Sequence, residues 1–275
     1  MFNKKTVIKF EDFRSVICSC ITFLKEETYA KLNEHSDVFT DKYKKMFDVS
    51  VIPSTLMFTE DELLHVPRKD KDGNKVKWED VTYSKKEIAS IYNKGIPERM
   101  RTPAKAHMEY AFNDQGLLEI KGLYITINLD ILKTEILTNL YDINRFIDIT
   151  LKGWVHHECG HILDYILSYE GKKRSVVDKL NKEDAKARKE YNAWIKSVMP
   201  KGSKFLPPEL DRQRVNMYFT IPCEARADTL GGVDRNKIID YIFEDDKYRI
   251  IATIKSKTVK REPVPNVEDK PNQVK

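Results

Sequence analysis

The residues best placed to do chemistry are His157, Glu158 and His161, in the run His157-Glu158-Cys159-Gly160-His161. On a helix, two histidines four residues apart differ by about 40° of rotation, so both imidazoles can reach one zinc ion. Glu158 lies about 100° around from His157, beside such an ion rather than on it. There a carboxylate can take a proton from a metal-activated water. Val155, Cys159, Ile162 and Ile166 form one apolar stripe, and His157, His161 and Asp164 fall on the opposite side. The spacing therefore predicts a helix with a buried back and a polar, convergent front. Gly160 costs such a helix about 1 kcal/mol against alanine, so a close approach of another chain segment is expected there.

A catalytic zinc site needs a third protein ligand and an open position for water. The six histidines are His35, His65, His107, His156, His157 and His161, and none follows His161. The third ligand is therefore expected to be a carboxylate. Glu224, in Glu224-Ala225-Arg226-Ala227-Asp228, is the leading candidate. Asp228, one turn on, shares its face and can hydrogen-bond a ligand histidine. Ala225 and Ala227 are small enough for close helix packing. Glu170, Glu190 and Glu209 lack a comparable partner. His156 is read as a neighbour of the site on another face of the helix.

These residues resemble the gluzincin branch of the zincin metallopeptidases. The neprilysin family has an aspartate where Asp164 stands and a later Glu-x-x-Ala-Asp-x-Gly-Gly segment. Glu224 to Gly232 is similar, with one extra residue before Gly231-Gly232. The catalytic domain of anthrax lethal factor has HExGHxxD, matching His157, Glu158, Gly160, His161 and Asp164. The neprilysin family is exported, disulfide-rich and uses a further late histidine, and this chain has none of these features. It is closer to a lethal-factor-like, or otherwise unclassified bacterial or phage, gluzincin. The resemblance spans residues 154–232 only.

The resemblance implies one Zn2+ per chain, held by His157, His161 and Glu224, with Asp164 and Asp228 supporting the ligands. It implies peptide-bond hydrolysis with Glu158 as general base and a tyrosine or histidine stabilising the oxyanion. Tyr218, six residues before Glu224, is nominated for that role. Zincins also lay an extended substrate along an edge strand above the metal. Leu123, Tyr124, Ile125, Thr126 and Ile127, upstream of the motif, are the expected substrate strand. The implied partner is a protein or peptide. The rival expectation is a virion- or toxin-associated structural protein whose metal site is vestigial or merely structural.

The elements that must position these residues are legible in outline. Helices are expected over 11–34, 85–94, 146–169, 176–198, from Pro222 to Gly231-Gly232, and from Asp234 to about 244. The 85–94 helix rests on a Ser84/Glu87 capping box and a stop at Gly95. Residues 49–58, Leu117–Lys121, Leu123–Leu129 and 248–255 read as extended. Residues 67–77 and the Pro200 to Pro208 stretch read as loops. The expected architecture is α+β and zincin-like: a small mixed sheet with the active-site helix in an upper half (about 1–170), and a mainly helical lower half (about 171–255). Residues 256–275 are expected to form a flexible tail.

Composition bounds the rest. The 275 residues are 41% hydrophobic and 33% charged, with a net charge of +5. That charge is mild for the length and demands no acidic partner. Basic clusters at Lys172-Lys173-Arg174 and at Lys186, Arg188 and Lys189 are interleaved with acids. They read as solvated helix faces, so nucleic-acid binding is not expected. Cys18, Cys20, Cys159 and Cys223 suggest no disulfide framework, and the last two read as small buried hydrophobes. Charges interrupt any N-terminal apolar run, so neither a secretory signal nor a membrane span is expected, and a cytoplasmic or virion-associated protein is.

Overall fold

The clearest strand pattern in the chain breaks parity once, and the structure shows why. In β4 (Leu118–Asn128), Leu118 and Ile120 are buried, and then so are Leu123, Ile125 and Ile127. Strict alternation from Ile120 would put Gly122 on the core side and Leu123 on the other, yet the two are buried side by side. A bulge absorbs the slip: Glu109 pairs with Gly122 and Tyr110 with Ile120. Both apolar sets then face the same core. The sequence reading split this segment into two strands, whereas it is one bulged strand. Gly122 belongs in the bulge, because the Tyr124 ring lies where a Cβ would project, with its Oη 2.4 Å from that point.

The computed structural model describes residues 7–52, 103–139, 142–200, 208–244, 250–255 and 258–263. The expected 67–77 loop, the 85–94 helix and the end of the tail fall outside them. Element order is β1 (Val7–Lys9), α1 (Phe10–Asn33), α2 (Asp41–Lys44), β2 (Phe47–Ile52), β3 (Ala104–Phe112), β4, α3 (Leu129–Thr138), α4 (Ile143–Phe146), α5 (Lys152–Asp164), α6 (Arg174–Val198), α7 (Pro208–Tyr218), α8 (Pro222–Gly231), α9 (Arg235–Glu244), β5 (Ile250–Lys255) and β6 (Thr258–Pro263). One sheet has the order β2-β4-β3, with β2 parallel and β3 antiparallel to β4. The other is antiparallel, in the order β1-β6-β5. The fold is therefore α+β, a small open mixed sheet with a mainly helical lower region.

Residues 258–263, read as the start of a flexible tail, form β6, which pairs with both β1 and β5. β5, just before it, and β1, from the other end of the chain, supply the hydrogen bonds that its composition alone could not forecast. Leu123 to Ile127, expected as the substrate strand, lie in the central strand, so both of its edges are taken. The edge strand that packs over α5 is β3.

Asn128 ends β4 and caps α3, its side chain accepting from the Asp130 and Ile131 amides at 3.1 and 3.2 Å. The expected 146–169 helix is one helical run with a π-helical turn on each side of α5, at Ile147–Leu151 and Tyr165–Tyr169. Such turns insert a residue without breaking the helix and often flank functional sites. Val155, Cys159 and Ile162 are fully buried, so the apolar back of α5 meets the core as its stripe required. No helix among the described residues is long and apolar enough to cross a membrane.

Candidate metal centre

The front of α5 faces α8, and the two helices touch through glycine. A Cβ on Gly160 would stand 1.9 Å from the Ala227 carbonyl oxygen, and one on Gly231 would stand 2.1 Å from the His156 carbonyl oxygen. This is the close approach that Gly160 foreshadowed. It brings the first turn of α8, with Glu224, against the histidines of α5. Pro222 opens that helix and Gly232, at φ 65°, closes it in the left-handed conformation.

His157, His161 and Glu224 present ligand atoms within 4.8 Å of one another. Glu224 Oε2 is 3.1 Å from His157 Nε2 and 3.4 Å from His161 Nε2. Zinc–nitrogen and zinc–oxygen bonds of about 2.1 Å, arranged tetrahedrally, separate ligand atoms by about 3.4 Å. The donor set and its spacing therefore fit zinc. Glu224 is 3% exposed, and His157 and Glu158 are nearly as buried. Bare charges at such depth are costly unless paired, and this group is paired throughout.

His157 Nδ1–H donates to Asp228 Oδ1 at 2.6 Å, which turns Nε2 towards the site. Arg235, from α9, grips both Asp228 oxygens and packs its guanidinium 3.4 Å from the centroid of the Phe219 ring. Phe219 in turn meets the His157 ring edge-on. Burial alone would lower the His157 pKa, but its hydrogen bonds to Asp228 and Glu224 and the charge of Glu158 outweigh it, carrying it up to about 9. Burial opposes ionisation of Glu224, yet the two histidines hold its carboxyl far below the usual range. Asp228 is also held down, by His157 and Arg235 against burial.

Asp228→Asn keeps the shape but loses the charge that orients His157, so zinc affinity should fall about 10- to 100-fold. Chelator competition measures this, and an unchanged affinity would release Asp228 from the role. In metal-free protein, a His157 pKa raised from 6.5 to about 9 contributes stability that is complete below pH 6.5 and lost as pH rises through about 9. The melting temperature of chelator-treated protein should fall across that window, and a flat profile would mean the imidazole is not held charged.

Glu158 sits beside the cluster. Its Oε2 accepts the Ala106 amide of β3 at 2.6 Å. Tyr165, stacked on His161 with an interplanar angle of 22°, donates to the Ala106 carbonyl at 3.3 Å. One residue of the edge strand is thus held from both ends by α5 and the π turn that follows it.

The other expected residues divide. Tyr218 reaches the cluster, donating to Glu224 Oε1 at 3.1 Å. Asp164 turns away from His157 and His161. It takes the Nε–H of Arg226 on both oxygens, at 2.9 and 3.1 Å, and also accepts from Ser168. Its support of the site is therefore a tie between α5 and α8. His156 bonds Glu27 of α1, and Cys159 packs against the Thr28 carbonyl. Glu170 engages Lys42 and the Ile120 amide, and Glu190 lies beside Lys186, so neither joins the cluster. Cys223 is only half-buried, and its sulfur accepts from Arg188 at 3.2 Å. All four cysteines are free.

Sequence reasoning missed β3, Tyr165, Arg188 and Arg235. Ala104, Ala106, Met108, Tyr110 and Phe112 do alternate with Lys105, His107 and Glu109, a usable period-two signal weakened by the low strand propensity of alanine. Arg188 reads in sequence as part of a solvated face, whereas it turns onto Glu224. No local pattern marks which arginine will do so.

The His157-Glu158-x-x-His161 helix with Glu224 and Asp228 on a second helix reproduces the gluzincin arrangement, and it defines a zincin-type site. Comparison of the chain with family models, curated proteins and solved structures found no match.

Proposed function

We propose that this protein is a zinc-dependent metallopeptidase that hydrolyses peptide bonds in a protein or peptide substrate. The observation that carries the reading is the convergence of His157 Nε2, His161 Nε2 and Glu224 Oε2 with Glu158 alongside. His157, His161 and Glu224 hold one ion per chain, and the catalytic domain takes in β6, which joins β1 to β5. When bound, zinc supplies Lewis acidity, which lowers the pKa of a water and polarises a carbonyl oxygen.

The chain's own groups do the rest. Ala106 fixes Oε2 of Glu158, and Oε1 is left to take a proton from the attacking water. Glu158 then delivers that proton to the leaving amine nitrogen. Tyr218 turns its hydroxyl from Glu224 Oε1 to the developing oxyanion. Ala106 directs its amide and carbonyl to the site, so Ala104 and Met108 of the same parity present theirs along the same edge of β3. An extended substrate pairs with that edge, the backbone giving affinity and the side-chain pockets selectivity.

The test begins with zinc per chain in protein purified without added metal. About one equivalent is expected, followed by cleavage in a proteome-wide screen that uses Glu158→Gln as its blank. Failure to take up zinc would sink the metal site. Zinc retained without any cleavage would favour the structural-scaffold reading.

A further inference from the structure

The carboxylate of Glu224 is divided between two tasks. Its Oε2 faces the two histidines, while its Oε1 accepts from Arg188 Nη2 and from Tyr218 Oη. We propose, on the reading of the site as a zinc centre, that Arg188 is the positioning residue that reserves Oε2 for the metal and withholds Oε1. Glu224 is then confined to one ligating oxygen, and a coordination position stays open for water. A free carboxylate has no such restriction, because both of its oxygens can ligate one ion.

The local structure is built to deliver this contact. Asp184 and Arg188 are one turn apart on α6 and face the start of α8 together. Asp184 Oδ1 accepts the Cys223 amide at 3.0 Å, satisfying a first-turn donor of α8. Its Oδ2 takes Arg226 Nη2 at 3.4 Å. That anchors α6 next to Glu224, and Arg188 then reaches Oε1 while also donating to the Cys223 sulfur at 3.2 Å. The guanidinium lies 5.8 Å from the centroid of the Tyr218 ring, so the two holders of Oε1 touch each other.

Arg188 is the constant member of the pair. In the proposed reaction Tyr218 leaves Oε1 for the oxyanion, and a second donor must keep the carboxylate from rotating at that moment. Arg188 is permanently charged and bound to a ligand that is itself buried. It has no other described partner that competes for its charge.

The experiment loads the full chain with cobalt(II) in place of zinc and records its visible absorption. Low-coordinate cobalt absorbs strongly in that region, and each added ligand weakens the bands. Wild-type protein should show the strong spectrum. Arg188→Met should bind cobalt and lose more than half of the band intensity, as Glu224 supplies its second oxygen. Arg188→Lys should restore the intensity, since an ammonium can hold Oε1. Tyr218→Phe should keep the wild-type spectrum, because Arg188 suffices. A wild-type spectrum from fully loaded Arg188→Met would overturn the inference while leaving the zinc site standing. So would weakened bands in Tyr218→Phe, which would make the tyrosine the holder and would read out even if Arg188→Met failed to fold. Wild-type protein that takes up neither cobalt nor zinc would overturn the metal centre itself.

Discussion

Glu158→Gln is expected to keep its metal and to lose about 100- to 10,000-fold in peptide hydrolysis, the range a positioned general base contributes. The substitution is close to isosteric, and the contact that fixes the side chain survives it. The amide oxygen of glutamine can accept the Ala106 N–H that Glu158 Oε2 accepts now. What changes is the second oxygen, which becomes an NH2 group that donates and cannot take a proton. None of the metal-ligating atoms is touched. The measurement is kcat on any substrate found in the screen, with zinc content determined on the same preparation. Near-wild-type turnover with zinc in place would remove Glu158 as the base, and loss of zinc would mean that its charge is needed to hold the ion.

Gly160→Ala is expected to cost about 3 kcal/mol, the upper end of ordinary overpacking, and to weaken zinc binding as well. The added Cβ would meet the Ala227 carbonyl oxygen at 1.9 Å, with the Ala227 carbonyl carbon at 2.6 Å and Cα at 2.9 Å. These are backbone atoms of α8, which cannot swing aside as a side-chain tip can. Better helix propensity returns only about 1 kcal/mol. The helices must separate, and the separation falls between the histidines of α5 and Glu224 of α8, so the ligand spacing opens too. Gly153→Ala is the control on the same helix. Its Cβ would meet only side-chain atoms of Ile238, Cδ1 and then Cγ1 at 3.1 Å, and although Ile238 is buried a side chain can re-settle where backbone cannot, so the stability loss should be smaller than for Gly160→Ala. Denaturant unfolding and chelator competition on both variants read the two effects. Equal behaviour of the two would mean that the α5–α8 contact yields without strain.

The legible part of this protein lay where information is local. The His157-Glu158-x-x-His161 spacing is a property of five consecutive residues on one helix, and the stripe of Val155, Cys159 and Ile162 confirmed which side was buried. Glu224 was reachable by elimination, because no histidine follows His161, and Asp228 by its one-turn spacing from Glu224. Even Gly160 was informative, since a glycine inside a helix has a cost that only a neighbour could offset. These features were enough to single out His157, His161 and Glu224, which the fold brings together.

Long-range pairing was not legible. Which strand forms the edge over the site depends on strand order, and β2 and β3 enclose β4 through hydrogen bonds that no local pattern encodes. Residues 258–263 became a strand partly for the same reason: besides β5, the strand just before it, β6 pairs with β1 from the other end of the chain. Arg188, Arg226 and Arg235 look alike in sequence, as exposed charges among other charges. Packing of α6, α8 and α9 turned them onto Glu224, Asp164 and Asp228. A buried carboxylate is stable only with a charged or hydrogen-bonding partner, so the fold had to supply one for each. Which arginine met which acid was set by helix crossings among residues far apart in the chain.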